Sequence, residues 1–358
     1  MTSPWTSAHV AAIDLDKAPI VPAFADAPRP SGGSGLYYWD MWPVQNPDGT
    51  IASITGRSLW MALTAPDRGD PAARHFEARI RWLEQVGGGW VDRGAVLPPG
   101  DVPYEREWAG SALLENGRVT LFFTGAGSAQ RVGGYQQKLF EAHGDVAADG
   151  SIGNWSVPAP SIKSMIADYC PADAHEGAPG RIKAFRDPAF FRDPADGADY
   201  LVFTASLAAA KSDYNGAVGL AQRTAHGWAL LPPIVHADGV NNELERAHIV
   251  ARDGRYYLFW VTQRSTFSPD VAAGPTGLYG MVADRMTGPW RPLNGSGLVI
   301  ANPDADPFRS YSWFVSAEGV TASFVDAPGG DGFVGAPAPL LQLEFDGDTV
   351  GLSAAALV

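Results

Sequence analysis

Acidic side chains beside aromatic residues are the feature of this sequence best suited to chemistry. In the segment YYWDMWPVQNPDG, Asp40 lies between Trp39 and Trp42. A carboxylate inside an aromatic cluster is unfavourable unless it is paired or belongs to a working site. Aromatic faces are also surfaces against which the apolar faces of sugars pack. Asp40 is therefore a candidate catalytic residue, although an Asp that caps a turn would give the same segment.

Two further segments combine carboxylates with arginine. They are AFRDPAFFRDP, with Arg186 and Asp187, and VNNELERAHIV, with Glu243, Glu245 and Arg246. Glu243 and Glu245 are two positions apart, so in a strand they would point to the same face. Two neighbouring carboxyl groups push their pKa values apart, which keeps a general acid protonated near neutral pH. Taken singly, the two segments could also be a turn with a surface ion pair and a solvated charged edge.

Other classes of site find little support. The seven histidines show no HExxH or comparable spacing, and GxSxG, the P-loop and the dinucleotide fingerprint are absent. Cys170 is the only cysteine, so no intrachain disulfide or cysteine-based metal site is possible. The net charge of −13 argues against a nucleic-acid partner. Carboxylates beside aromatic residues remain, which points to glycosides as substrates and to no metal or cofactor.

The elements that must position these residues are short strands. Gly 41 and Pro 29 are high counts, and both residues mark turns. An alternating strand follows a turn in NGRVTLFFTG (116–125), GADYLVFTAS (197–206) and DGRYYLFWVTQ (253–263). Alternation with period two predicts half-buried strands, and Asn-Gly or Asp-Gly before them predicts hairpins.

A second repeat concerns tryptophan. Trp90, Trp155, Trp228 and Trp290 each follow a Gly closely and recur roughly 60–75 residues apart. A unit of several strands at this period suggests propeller blades, with a β-sandwich as the alternative. In a propeller the innermost strands converge on an axial pocket, so polar residues from different blades can face one small ligand.

The remaining segments complete the domain prediction. Residues 1–35 are expected to form an N-terminal arm, and residues 36–358 a single domain, because no later composition shift marks a linker. Residues 74–86 could be a short helix or an alternating strand, and 158–182 is expected to be a long excursion with at most a helical turn.

The chain is not expected to have a membrane partner. No apolar stretch is long enough for a membrane span. The first residues lack a basic head with an apolar core, so we expect either a protein that stays inside the cell, or export after removal of a signal or without one.

Taken in order, the motifs WDMWP, FRDP and NELER resemble glycoside hydrolase family 68, the levansucrases, inulosucrases and bacterial β-fructofuranosidases. The resemblance runs from about Tyr37 to Tyr311. It implies an all-β, five-bladed β-propeller with an axial active-site pocket. It also implies a retaining enzyme that takes the fructosyl unit of sucrose and passes it to water or a sugar acceptor, without a cofactor.

The resemblance also implies roles for individual residues. Asp40 would be the nucleophile, Glu245 the general acid/base and Asp187 the transition-state stabiliser. The substrate-binding residues would be Trp39, Trp108, Arg186, Glu243, Arg246, Arg264 and Tyr311.

This sequence departs from the family pattern at three positions. Ala109 in EWAGSA replaces a Ser, and Thr204 stands where many members have an acceptor-side Glu. Asn242 replaces an Asp that helps to bind calcium in Gram-positive members, so the chain looks more like the compact calcium-free members and no metal is expected.

Two alternatives stay open at this point. One is a different propeller glycosidase that acts on another fructoside or on an arabinofuranoside, whose carboxyl groups would lie about 6.5–9.5 Å apart if it inverts. The other is a non-catalytic sugar-binding propeller.

Overall fold

The computed structural model describes residues 2–24, 27–177 and 182–353. The described chain begins with strand β1 (Ser3–Pro4) and helix α1 (Ser7–Ala11). After α1 it is almost entirely β, apart from short 3₁₀ helices at Pro71–Phe76, Arg264–Thr266, Leu293–Gly295 and Pro328–Gly330. This part of the chain contains no helix long and apolar enough to cross a membrane.

The later strands fall into five consecutive antiparallel groups, which we call blades 1 to 5. Blade 1 contains β2 (Leu36–Gln45), β3 (Leu59–Pro66), β4 (Arg79–Val86) and β5 (Gly89–Ala95). Blade 2 contains β6 (Arg106–Glu115), β7 (Arg118–Ala126), β8 (Gln137–Val146), β9 (Ile152–Gly153) and β10 (Ala159–Pro160). Blade 3 contains β11 (Phe185–Arg192), β12 (Asp199–Ser206), β13 (Gly216–Thr224) and β14 (Gly227–His236). Blade 4 contains β15 (Glu245–Arg252), β16 (Arg255–Thr262), β17 (Gly277–Ala283), β18 (Arg291–Pro292) and β19 (Leu298–Ala301). Blade 5 contains β20 (Ser310–Val315), β21 (Val320–Val325), β22 (Ala336–Pro337), β23 (Leu341–Asp346) and β24 (Thr349–Leu352).

The first strands of the blades form a closed ring. Strand β2 neighbours β6, β6 neighbours β11, β11 neighbours β15, β15 neighbours β20, and β20 returns to β2. Blades 1 and 2 are further joined by a short parallel pairing of β2 with β6. The all-β propeller fold predicted from the sequence is confirmed, and the ring of first strands supports the predicted number of blades.

Aromatic pairs lie at the contacts between neighbouring blades. Such pairs favour edge-to-face or offset geometry and add to the free energy gained by burial. Around the ring the pairs are Trp82–Trp155, Phe122–Phe190, Phe191–Tyr256, Phe259–Phe345 and Tyr37–Phe333, with centroids 4.9–6.4 Å apart.

The two sequence repeats correspond to equivalent elements. The turn-and-strand units are the second strands β7, β12 and β16, and the repeated tryptophans lie in or beside the outer strands of blades 1 to 4. The Asn116-Gly117 turn has positive φ at both residues, as a two-residue hairpin requires. The predicted hairpin chemistry is therefore confirmed at this turn.

The N-terminal segment packs onto the propeller. Strand β1 pairs in parallel with β14 in blade 3. Trp5 is 1% exposed, contacts Trp260 and Tyr279 of blade 4, and donates its indole N–H to Ser296 O. The described residues of the predicted arm are therefore attached to two blades, while the boundary between residues 35 and 36 stays a prediction.

Two local expectations are refined by the structure. The segment 74–86 is divided between the end of a 3₁₀ helix and strand β4, so both readings hold for part of it. The segment 158–182 contributes the short strand β10, and its described residues contain no helical turn. Residues 178–181 of that segment lie outside the described residues.

Candidate active site

An irregularity at the same place in every first strand sets the geometry of the site. The pairing of each first strand with the second skips residues, between Trp39 and Trp42, Trp108 and Gly110, Arg186 and Ala189, Glu245 and His248, and Tyr311 and Phe314. Four residues in these bulges, Asp40, Asp187, Arg246 and Ser312, have φ of 49–61°. Bulges bend a strand and re-aim side chains, and strained φ values of this kind cluster at functional sites.

A cavity of about 670 Å³ lies beside these bulges. Seven predicted site residues line it: Trp39, Asp40, Trp108, Arg186, Asp187, Glu243 and Glu245. The 3₁₀ segment Pro71–Phe76 forms another wall. A larger cavity of about 850 Å³ lies between blades 2 and 3 but contains none of the predicted site residues, so the smaller cavity is the candidate active site.

Arg186 gathers three carboxylates from two blades. Its Nη2 lies 3.2 Å from both Glu243 Oε1 and Glu245 Oε1, and its Nε lies 3.4 Å from Asp187 Oδ2. Burial opposes the charged form of Arg186, but the carboxylates outweigh it and raise the pKa of the guanidinium. The prediction that Glu243 and Glu245 lie on one face of a strand is wrong, because only Glu245 belongs to the strand. Glu243 precedes β15, and Arg186 is what brings the two together.

Asp187 is held by the backbone and by one hydroxyl. Its N–H donates to Thr124 Oγ1 at 2.8 Å, and its Oδ2 accepts from Thr204 Oγ1 at 2.9 Å. Burial raises the pKa of Asp187, and Arg186 opposes the shift. Thr204 is fully buried, and its hydroxyl oxygen also accepts a hydrogen bond from the Arg246 N–H. Its effect on the acceptor side stays a prediction.

Asp40 is the carboxylate on the blade 1 side of the cavity. Burial raises its pKa; Arg246 opposes this, Glu245 adds to it, and hydrogen bonding from Ser312 opposes it. Arg246 donates to Ser312 Oγ at 2.8 Å and to Met41 O at 2.9 Å. Asp40 therefore lies in a site where two cations, Arg246 and Arg74, and one hydroxyl favour its ionised form.

The predicted aromatic residues contact this cluster. Tyr311 donates its hydroxyl to Glu245 Oε2 at 2.5 Å, while Arg186 donates to the other carboxylate oxygen, Oε1. Trp108 donates its indole N–H to His75 O, which ties the cavity wall of blade 2 to the 3₁₀ segment. Glu245 thus has one partner on each oxygen, which fixes its orientation.

Arg264 is not brought into the cavity. Its side chain is 58% exposed and pairs with Asp304 at 3.5 Å. Its neighbour Gln263 hydrogen-bonds to Tyr311, so the segment approaches the site although the guanidinium does not line it. A substrate-binding role for Arg264 stays a prediction.

The other two departures from the family pattern are both buried. Ala109 is 1% exposed, and its carbonyl accepts from Thr124. Asn242 is fully buried, and neither amide atom has a partner among the described residues. No group of three or more His, Cys, Asp or Glu side chains that could hold a metal ion occurs in the described ranges.

Sequence reasoning missed several residues of the site. Ser312 occupies the bulge position that Asp40, Asp187 and Arg246 occupy in other blades. His248 accepts from Val315 N–H through Nε2, so its Nδ1 carries the proton and donates to Arg246 O at 2.9 Å. An alignment of the five first strands with one another would have exposed Ser312, but the blades share too few residues to suggest it.

Comparison with known proteins agrees with this geometry. The sequence profile of the levansucrase/invertase family of glycoside hydrolases matches residues 1–218 and 209–352. The chain belongs to glycoside hydrolase family 68. It is therefore an enzyme of the glycoside hydrolase and fructosyltransferase class.

Individual members of family 68 are similar over nearly the whole chain. A levansucrase of Rahnella aquatilis is 30% identical, covering 96% of this chain and 92% of its own. An inulosucrase from Halalkalicoccus jeotgali, solved bound to kestose, superposes with a TM-score of 0.89 and 33% identity, covering 100% and 97% of the two chains. A β-fructofuranosidase from Microbacterium saccharophilum K-1 superposes with a TM-score of 0.85 and 25% identity, covering 100% and 85%.

Proposed function

We propose that this enzyme transfers the fructosyl unit of sucrose to water or to a sugar acceptor by a retaining double displacement. The observation that carries the proposal is the meeting of Asp40, Asp187 and Glu245 from three blades in one cavity. The similarity to levansucrase, inulosucrase and β-fructofuranosidase supports the choice of substrate.

In the first step Asp40 attacks the anomeric carbon of the fructosyl unit. The bond from that carbon to the glucosyl oxygen breaks, and Glu245 gives its proton to the departing oxygen. The contact of Glu245 with Arg186 and Tyr311 supports this role, because it aims the carboxyl group at one position. The products of this step are glucose and a fructosyl ester of Asp40.

In the second step Glu245 acts as the base. It takes a proton from water or from an acceptor hydroxyl, whose oxygen attacks the anomeric carbon and releases Asp40. Water gives free fructose, and a sugar gives a longer product. Retention requires the Asp40 and Glu245 carboxyl groups to lie about 5–5.5 Å apart.

Asp187 stabilises the transition state of both steps. It accepts hydrogen bonds from sugar hydroxyls, which become more acidic as positive charge develops on the ring. These hydrogen bonds are therefore stronger in the transition state than in the bound substrate, which lowers the barrier. Its fixed position supports this role, because Thr124 holds its backbone and Thr204 its carboxylate.

The test is incubation of the purified protein with sucrose, with free glucose and free fructose measured over time. Glucose release is expected, with fructose equal to it for hydrolysis and below it for transfer. The matched control is Asp40→Ala, for which release should fall by several orders of magnitude with the fold retained. Absence of both sugars with the wild-type protein would contradict sucrose as substrate, and other fructosides would then be tried.

A further inference from the structure

Arg74 lies in the wall of the catalytic cavity on the side of blades 1 and 5. It belongs to the 3₁₀ segment between β3 and β4 and lines the same cavity as Asp40. Its guanidinium carbon lies 4.1 Å from the ring centroid of Phe333 and 5.7 Å from that of Trp39. Two aromatic faces therefore hold this cation in a fixed place.

The donors of Arg74 are mostly unused. A guanidinium has five N–H groups, and within the described part of the chain Arg74 gives one hydrogen bond, from Nη1 to Pro71 O at 2.6 Å. Among the described residues its carboxylate neighbours Asp326 and Asp40 act on it electrostatically without forming an ion pair, and its Nε is buried without a partner. The two other arginines of the site have more partners. Arg186 pairs with three carboxylates, and Arg246 donates to Ser312 and Met41. A partly buried cation with unfilled donors is unfavourable unless water or a ligand supplies oxygen atoms, and a sugar that enters the cavity would replace that water.

The charges around Arg74 indicate a neutral ligand. Asp40 and Asp326 both interact with it electrostatically without contacting it. Carboxyl groups outnumber guanidinium groups around the cavity, so an anion would be repelled, whereas a hydroxyl could accept from Arg74. Because Arg74 lies on the Asp40 side, the sugar it meets is the one that Asp40 attacks.

We propose that Arg74 is a substrate-binding residue whose free N–H groups donate to hydroxyl groups of the fructosyl unit. The inference rests on the proposed function and adds a contact for the same site. Phe333 and Trp39 serve as the platform that aims the guanidinium.

The first experiment measures kcat and KM for sucrose in Arg74→Gln and Arg74→Lys. Loss of a charged donor to a substrate hydroxyl should lower kcat/KM about ten- to hundredfold, with part of the activity recovered by Lys. The matched control is Arg68→Gln, in the same segment between β3 and β4. The side chain of Arg68 is 60% exposed and pairs with Glu77 outside the cavity. A kcat/KM for Arg74→Gln within about twofold of wild type would overturn the proposal.

Analogues of sucrose that each lack one fructosyl hydroxyl separate binding from a structural role. For the analogue that lacks the hydroxyl bound by Arg74, Arg74→Gln should cause little further loss, because the interaction is already absent. Equal loss on every analogue would overturn the proposal and indicate a structural effect.

A binding measurement keeps this inference distinct from the catalytic proposal. In a Glu245→Gln background, calorimetric titration with sucrose and with fructose should show affinity reduced about tenfold by Arg74→Gln. Unchanged affinity for both sugars would overturn the role of Arg74 even if the wild-type enzyme turns over sucrose. Failure of wild-type turnover would contradict the proposed function alone.

Discussion

At the scale of single residues, the site is built from equivalent bulge positions in the five blades, and a few hydrogen bonds join neighbouring positions. The first bulge residue of each blade is Asp40, Ala109, Asp187, Arg246 or Ser312. Threonine hydroxyls link neighbours in this series, because Thr124 joins Ala109 to Asp187 and Thr204 joins Asp187 to Arg246. Asp187 and the backbone of Arg246 are thus held in place by the hydroxyl groups of two threonines.

Thr204 is the residue on which this dependence can be measured. Thr204→Val removes the donor to Asp187 and the acceptor for the Arg246 N–H. We expect the free energy of unfolding to fall by about 1–3 kcal/mol and kcat/KM for sucrose to fall at least about tenfold. Chemical denaturation and initial rates of glucose release would measure the two effects.

Two variants serve as controls for Thr204. Thr204→Ser keeps the hydroxyl and should keep most of the activity. Thr64→Val removes a buried hydroxyl that donates to Arg79 O away from the cavity, so it should lower stability without lowering kcat/KM. Activity in Thr204→Val equal to that in Thr64→Val would show that the hydroxyl has no part in catalysis.

At the scale of the element, the bulge in each first strand decides what reaches the cavity. The prediction that an apolar strand follows the NELER segment is confirmed by β15, and the turn-and-strand repeats correctly predicted the strands β7, β12 and β16. The bulges could not be predicted, because a register shift depends on the partner strand and on the ring of neighbours rather than on local pattern.

The same limit explains which site residues were found and which were missed. Asp40, Asp187 and Glu245 belong to motifs that are distinctive when taken together and in order. Ser312 and Arg74 are ordinary residues in sequence. The closure of blade 5 against blade 1 places Ser312 near Asp40, and the 3₁₀ segment between β3 and β4 places Arg74 there. Sequence therefore predicted the residues whose local chemistry is distinctive and missed those that matter through long-range packing.

Gly110 tests the bulge of blade 2. A Cβ at this position would lie 1.8 Å from Phe122 O and 2.7 Å from Phe123 Cα, which are backbone atoms that cannot move aside. Gly110→Ala should lower the free energy of unfolding by about 2–4 kcal/mol and should shift Trp108 in the cavity wall. Thermal and denaturant unfolding would measure this change.

Gly153 provides the matched control. It lies in β9 of the same blade with no atom within 4 Å of an added Cβ, so Gly153→Ala should change stability by less than about 0.5 kcal/mol. Equal stability of the two alanine variants would contradict the close backbone approach at the bulge.

At the scale of the whole molecule, the propeller holds a site made from residues far apart in sequence. Arg186 of blade 3 contacts Glu243 and Glu245 near blade 4, and Arg246 of blade 4 contacts Ser312 of blade 5. The relative position of the blades therefore sets the distances between the charged groups of the candidate active site. Attachment of the N-terminal segment to blades 3 and 4 supports two of those blades from outside.

Trp5 is the residue through which this attachment can be tested. Trp5→Ala removes a side chain that is 1% exposed and packs on Trp260, Phe267 and Tyr279. The free energy of unfolding should fall by about 3–5 kcal/mol. Leu15→Ala, at a residue 36% exposed, should change it by less than about 0.5 kcal/mol. A small effect of Trp5→Ala in denaturant unfolding would mean that the segment is not part of the cooperative fold.

The most direct measurement for the whole account is the detection of the fructosyl ester on Asp40. Glu245→Gln, mixed with an aryl β-fructofuranoside whose leaving group needs no proton, should form the ester quickly and release it slowly. Mass spectrometry of the intact protein and of its peptides should then find one fructosyl unit on the peptide that carries Asp40. Release of the aryl group without any adduct, or with the adduct on another residue, would contradict double displacement through Asp40.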